Sequence, residues 1–435
     1  MNATLLSLYV VPMLLIWAWY LLRRQRREAG HRAVQEEAVA AGLIEPASLH
    51  PAINPAQCVG CGSCVRACPE QPEHTVLGLI GGKAQLVSPT DCIGHGACRD
   101  ACPVGAITLV FGTATRGVDI PVLRANFESN VPGIYVAGEL GGMGLIRNAL
   151  VQGREAAQAI AASGRRQAGR LDVLIVGAGP AGFAAALTAQ SLGLRYLVIE
   201  QESLGGCVYQ YPRGKLVMTS PVELPLVGKV HFRHTSKEEL LRFWTAARAA
   251  HRVQIRCQER VESIDRFDGG FIVRTSRNRY PASNVLLAIG RRGTPRKLGV
   301  PGEDLPKVVY RLIDPEQYRG QKVLVVGGGD SALEAAASIA EVGDTHVTLS
   351  YRGAAFTRAK QRNRERVDRA REAGTLDLLL SSQVAEIHPD LVVLEHSGLP
   401  VKLGNQAVIV NAGGVLPNEF LRGVGVQVET KYGTA

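Results

Sequence analysis

The chain has 435 residues, 46% hydrophobic and 20% charged, with 49 Lys and Arg against 39 Asp and Glu for a formal charge of +10. At roughly 150 residues per domain this is about three domains, and the apolar content excludes a disordered or collagen-like protein. The positive balance suits nucleic acid, an anionic membrane face or a phosphorylated substrate, so its placement along the chain must decide.

Residues 1–22 carry no charge, and 5–22 read LLSLYVVPMLLIWAWYLL, long enough to cross most of a bilayer core. Trp17, Trp19 and Tyr20 sit where amphipathic rings favour the interface, and Arg23, Arg24, Arg26 and Arg27 follow at once, which puts the cationic side in the cytoplasm. A cleavable signal carries its charge before the apolar run and ends in small residues. The order here is reversed, so the expectation is one N-terminal transmembrane helix over 1–24, single-pass in the inner membrane, then a linker over 25–54 and domains facing the cytoplasm. A second basic run, 358–371, interleaves Glu365 and Asp368 with its arginines and contains no aromatic residue. Without a stacking platform it reads as a solvated helix face, and no nucleic-acid partner is expected.

Seven of the 9 cysteines fall between 58 and 102. The first four read Cys58-x2-Cys61-x2-Cys64-x3-Cys68-Pro69, the bacterial ferredoxin run, in which three thiolates converge on one [4Fe-4S] cluster and the fourth reaches the neighbouring cluster. A disulfide framework would need an oxidising compartment, against the cytoplasmic placement. The second run, Cys92-x2-His95-x2-Cys98-x3-Cys102-Pro103, departs from the pattern by a histidine at its second ligand position. Resemblance to ferredoxins implies crossed ligation: one cluster on Cys58, Cys61, Cys64 and Cys102, the other on Cys68, Cys92, Cys98 and His95. The alternatives at the second site are a three-iron cluster, or a lost site with His95 an ordinary loop residue.

Residues 171–200 give an apolar strand, the turn Gly177-x-Gly179-x-x-Gly182, a small-residue helix and a strand ending in Glu200. The glycines let a backbone approach a pyrophosphate at a helix N-terminus, and Glu200 suits a ribose hydroxyl. Residues 322–350 repeat the unit with Gly327, Gly329 and Ala332 at the turn positions. Ser350 stands where an NAD site carries an acid, and Arg352 and Arg358 follow, which favours the 2′-phosphate of NADPH over NADH.

The segments GAGPAG (177–182), LLAIGRRGTPRKLGVPGE (286–303), GGGDSALEAA (327–336) and GGVLPNEFL (413–421) resemble the thioredoxin-reductase-like flavoproteins, whose FAD domain is interrupted by an NADPH domain. NVPGIYVAGELGG at 130–142 is similar to the segment that ends that family's FAD domain, yet here it precedes the first glycine turn. The resemblance therefore implies a circular permutation, with Gly138 and Glu139 meeting the ribityl chain of FAD and the following helix aimed at the isoalloxazine; exchange of this segment within a homodimer is a variant.

The expected fold class is α/β: two Rossmann-like dinucleotide-binding domains (FAD and NADPH) plus a small α+β ferredoxin domain and the transmembrane helix. Boundaries are expected at 55–110 for the ferredoxin domain, 111–165 for the permuted segment, 166–298 for the FAD domain, 299–405 for the NAD(P)H domain and 406–435 for the return to the FAD domain. The expected activity is an NADPH-dependent flavo-iron-sulfur oxidoreductase exchanging electrons with a redox partner, one that shares the membrane in the anchored reading. No cysteine occurs in 296–410, so the redox pair of a thioredoxin reductase is missing. Two rivals remain: a single-cysteine disulfide or small-oxidant reductase using Cys207, and a non-catalytic electron-transfer or sensor subunit. Cys257 reads as a buried apolar residue.

Overall fold

The structure, a computed structural model, describes the backbone of residues 3–433 apart from 41–42, 44–45, 47–48, 72–73, 115–116, 143, 219–221, 233, 292 and 358, and side chains of the same residues apart from 3–8, 216, 218 and 234. The chain forms two compact units, 1–116 with 355–361 and 432–435, and 117–354 with 362–431.

In the first unit the apolar run does not end as its own element. One helix, α1 (Ala3–Ala40), runs through it and on past the arginines. Its later turns dock on the cysteine-rich module: Leu79 N–H donates to His31 Nδ1 (3.0 Å), and Gly81 N–H donates to Glu28 (2.8 Å). The expected transmembrane helix and the single-pass inner-membrane placement are corrected by this structure, because among the described residues no helix is long and apolar enough to cross a membrane. The helix continues unbroken from its apolar turns into Arg23, Arg24, Arg26 and Arg27 and on to Ala40. Residues 5–8 of the expected span lie outside the described side chains.

The module itself is two antiparallel ladders, His50–Ile53 with Ile107–Val110 and Leu77–Ile80 with Lys83–Leu86. Two short helices, Ser63–Ala67 and Ala97–Asp100, are each entered through a left-handed glycine, Gly62 (φ 72°) and Gly96 (φ 85°). The duplicated sequence thus folds as a duplicated structure. Its core is made of the thiols themselves: Cys58, Cys64, Cys68, Cys92 and Cys98 are buried with Val76, Leu77 and Ile107.

The second unit holds two parallel five-stranded sheets. The first comprises β1 (Ile134–Val136), β2 (Val173–Val176), β3 (Tyr196–Ile199), β4 (Ile255–Arg256) and β5 (Val285–Leu287), in the order β4-β3-β2-β5-β1. Parallel strands covered on both faces read as unbroken apolar runs, and VLIV of β2 and VLL of β5 are wholly buried. The second sheet comprises β6 (Val308–Val309), β7 (Lys322–Val326), β8 (His346–Ser350), β9 (Leu376–Leu379) and β10 (Ala407–Val410), in the order β6-β10-β7-β8-β9.

β1 comes early in the chain yet forms the edge of the first sheet. The helix after it, α2 (Ile146–Ala162), lies against α3 (Pro180–Ser191) so closely that a Cβ on Gly153 would stand 2.0 Å from the Ala181 carbonyl oxygen. Beside it, Val118–Pro121 pairs antiparallel with Val428–Lys431. Buried Glu128 fastens the same segment, accepting from Arg165 and from Gly133 N–H (2.9 Å). Burial opposes its charge, but these partners hold its carboxyl below the usual carboxylate range. The two sheets are tied by Thr294–Pro295 against Gly414–Val415 and by Arg311, which grips Glu202 with two nitrogens at 2.7 and 2.9 Å.

Candidate cofactor and cluster sites

At the first glycine turn, β2 runs into α3 through backbone that only glycine can supply. Gly177 has φ 101°, and a Cβ there would stand 2.5 Å from the Ala288 carbonyl oxygen; one on Gly182 would stand 1.8 Å from the Gly177 carbonyl oxygen. Gly179 caps α3 with its nearest neighbour at 3.9 Å, which leaves room for a pyrophosphate over the turn. Glu200 is buried, and its two oxygens accept from Ala178 N–H (2.7 Å) and Glu202 N–H (2.9 Å). It therefore braces the turn and keeps a further lone pair on each oxygen. Burial pushes its pKa above the usual carboxylate value.

The early segment meets this turn. Gly138 takes φ 86° and ψ −154°, a glycine conformation, and a Cβ there would stand 3.0 Å from Ala181 Cβ. Its N–H donates to Gln152 Oε1 (2.9 Å). Glu139 lies over Gly144. Sequence reasoning misses both Gln152 and Arg291, whose guanidinium donates to the Asp119 carbonyl (3.0 Å) and feels the charge of Glu139. Burial lowers the pKa of Arg291. The residual signal is a charge four residues beyond the end of the apolar strand β5.

At the second turn β7 enters α4 (Asp330–Ala340) through Gly327, φ 146°, where a Cβ would stand 2.4 Å from the Asn411 carbonyl oxygen. Gly329 has nothing within 4 Å of its missing Cβ, and Ala332 is fully buried as the third turn residue. Ser350 is buried and turned inward, its hydroxyl donating to Ser382 Oγ at 2.7 Å while Ser382 donates to the Leu379 carbonyl. Arg352 is exposed just beyond β8; Arg358 lies outside the described residues. Tyr351, which the sequence did not single out, stands with its ring 2.3 Å from where a Cβ on Gly328 would be, over the turn.

In the cysteine module, Cys58, Cys61, Cys64 and Cys102 line one cavity together with Ile53, Ala84, Ala106 and Ile107. That set crosses the two halves of the duplication. Cys58 Sγ accepts from Ala84 N–H (3.4 Å) and Cys102 Sγ from Ala106 N–H (3.3 Å), the kind of bond that tunes a cluster's potential. Hydrogen bonding from Ser63 lowers the pKa of the exposed Cys61. Burial, with the charges of neighbouring thiolates, pushes Cys92 and Cys98 up to about 11, and Cys68 is buried in the same core. Burial lowers the pKa of His95. Among the described residues no three His, Cys, Asp or Glu side chains could hold a single metal ion, as befits thiolates that each bind a different corner of a cluster.

Cys207 sits in the single turn Gly206–Val208 beside the first glycine turn, where a Cβ on Gly206 would stand 2.9 Å from Gly179 Cα. Cys257 packs partly buried against the core of the same half. No disulfide joins the cysteines.

Residues 174–433 match the pyridine nucleotide-disulphide oxidoreductase family, and 50–103 match the 4Fe-4S dicluster domain. The ferredoxin–NADP reductase of Ignicoccus hospitalis is 34% identical over 268 residues, covering 60% of this chain and 83% of that protein. The bacilliredoxin reductase Bdr of Bacillus subtilis is 26% identical, covering 60% and 82%. The solved structure of the bacillithiol disulfide reductase Bdr from Staphylococcus aureus has a TM-score of 0.53 at 26% identity, covering 59% of this chain and 81% of that one. The turns with room for a pyrophosphate and the thiol-lined cavity fit the cofactors these matches support, which are FAD, NADPH and [4Fe-4S] clusters. The chain belongs to the pyridine nucleotide-disulphide oxidoreductase family and is an FAD-dependent oxidoreductase with a 4Fe-4S dicluster domain.

Proposed function

We propose that the protein exchanges electrons between NADPH and a redox partner by way of FAD and its own clusters, as a ferredoxin–NADP reductase with the ferredoxin built in. The cavity framed by Cys58, Cys61, Cys64 and Cys102, in one chain with two dinucleotide turns, carries this reading. The bound cofactors supply a two-electron hydride step and two one-electron acceptors, so one NADPH accounts for two reduced clusters and a proton released. The chain supplies placement: the Gly177 and Gly327 turns admit the pyrophosphates, Gly138 and Glu139 border the flavin, and the covalent link replaces diffusion by effective concentration. The order of segments is that of a circularly permuted FAD domain, supported by β1 completing the sheet of β2 and β5 and by the pairing of Val118–Pro121 with Val428–Lys431.

Anaerobic titration with NADPH tests the reading, following flavin bleaching optically and the clusters by electron paramagnetic resonance. Reduced clusters should appear after the flavin bleaches, or, if flow runs the other way, chemically reduced clusters should convert NADP⁺ to NADPH; failure of both refutes it. Arg352→Ala is expected to raise KM for NADPH about tenfold, the loss of one charged contact of about 1.4 kcal/mol, with little change for NADH. Equal losses with both nucleotides in steady-state assays would remove Arg352 from the 2′-phosphate site.

A second reading, disulfide reduction, has in its favour the two relatives named Bdr and the place of Cys207 beside the flavin turn. Under the first reading Cys207→Ser keeps NADPH-driven cluster reduction within about twofold, since thiol and hydroxyl are of similar size. A disulfide reductase activity present in the parent and lost in this variant would instead establish the second.

A further inference from the structure

The second cysteine run repeats the first position for position, and His95 occupies the place held in the first by Cys61. The backbone repeats as well, since Gly62 and Gly96, each following that position, take nearly the same left-handed conformation and open equivalent helices. In the first half the residue at this place, Cys61, lines the thiol cavity. By the same duplication His95 belongs with Cys92, Cys98 and the crossing Cys68, all three buried in one core.

The imidazole itself is in an unusual state. Both ring nitrogens of His95 are buried to less than 1 Å² of exposed surface, and neither has a hydrogen-bond partner. Other histidines are placed differently: His31 Nδ1 accepts from Leu79 N–H, His346 Nε2 pairs with Asp377, and His396 leaves one nitrogen unpaired. An unmet buried polar atom costs about 1–3 kcal/mol, and most native buried groups avoid it. An imidazole with both nitrogens unmet, at the place that a cavity-lining cysteine holds in the first half, is suited to find its partner in iron.

We propose that His95 is the fourth ligand of the second cluster, which is thereby a four-iron cluster held by Cys68, Cys92, Cys98 and one imidazole nitrogen. This rests on the two-cluster module of the proposed function but not on electron flow from NADPH. Imidazole is neutral where thiolate is anionic, so the second cluster is one unit less negative than the first and its midpoint potential is higher, as for the histidine-ligated iron of Rieske centres. Electrons entering the module then come to rest at the His95 end. A rival ligand is at hand in Asp91, whose Oδ1 is also buried and unpaired while Oδ2 accepts from Ser88 at 2.7 Å.

The test uses the full-length holoprotein reduced with dithionite, so that a failure of NADPH-driven reduction leaves it untouched. Cells are supplied with histidine carrying ¹⁵N in the imidazole ring, and pulsed electron paramagnetic resonance is recorded on each cluster signal. The expected result is a strong nitrogen coupling on one of two cluster signals that changes with the isotope, with about eight iron atoms per chain. In His95→Cys, which restores the ferredoxin ligand set, the coupling vanishes and the midpoint of that cluster alone falls. Two cluster signals with no isotope-sensitive coupling would overturn the inference in favour of an oxygen ligand such as Asp91. A three-iron signal in protein isolated without air, or a single cluster, would overturn it as well.

Discussion

Gly182→Ala should yield a protein that retains less than about a tenth of its flavin and almost none of its NADPH oxidation. The Cβ it adds would lie 1.8 Å from the Gly177 carbonyl oxygen, and since the contact is with backbone no rotamer change relieves it. α3 must back away from β2, opening the turn that holds the pyrophosphate and disturbing one of the most fully buried parts of the molecule, where Phe183, Ala184, Ala185 and Leu187 have no exposed surface. Overpacking of this kind costs on the order of 1–3 kcal/mol and more where backbone must move. Gly179→Ala is the matched control, because its neighbour is 3.9 Å away and its φ of −70° suits alanine. It should fold with parental stability and weaken flavin binding only by crowding the ligand. Flavin-to-protein ratio and thermal unfolding read both variants; a Gly182→Ala protein that purifies with a full complement of flavin would show that the close approach is dispensable. Iron content should be unchanged in either, since the cysteine module is a separate compact unit.

Cys64→Ser is expected to separate the two halves of the electron path. Cys64 is buried and lines the four-thiol cavity, and an alcohol, far less acidic than a thiol, is a poor replacement for a soft thiolate on iron. The first cluster should be lost and delivery to a one-electron acceptor through the module should fall about a hundredfold or more, the scale of advantage that tethering confers. Oxidation of NADPH by a small two-electron acceptor that meets the flavin directly should stay within about twofold. Parallel assays with the two acceptor types, together with iron analysis, check this. Unchanged one-electron turnover in a variant lacking that cluster would mean that the module is not on the path.

The parts of the site legible in the sequence are those whose chemistry is local. Gly177, Gly179 and Gly182 announce themselves because strand, turn and helix follow within a dozen residues, and the thiol spacing of 58–68 fixes its cluster by the same local logic. Cys102 lines the cavity of Cys58, Cys61 and Cys64, the grouping that the resemblance to ferredoxins implies. What the sequence leaves dark are partners far apart in the chain: Gln152 on Gly138, Gly153 against Ala181, Arg291 between Glu139 and Asp119, Tyr351 over Gly328. None has a period or a motif, since each depends on which surfaces the sheets bring together. The apolar run at 5–22 shows the limit from the other side. Its composition announces a helix, but not that the helix continues to Ala40 and docks on the module through Glu28 and His31, contacts to residues some fifty positions away.

The pairing of Val118–Pro121 with Val428–Lys431 fixes an order of events during translation. Asp119 and Thr430 meet across 311 positions, and Asn130 reaches Gly425 across 295, so β1 and its neighbours leave the ribosome long before the strands that will flank them. Contacts of such separation form late, because loop-closure entropy must be overcome first. The cysteine module has no such wait, its ladders closing between 50 and 110. Iron loading can therefore precede flavin capture on the nascent chain, and a stalled ribosome would carry an assembled iron–sulfur domain followed by an unpaired, aggregation-prone strand edge.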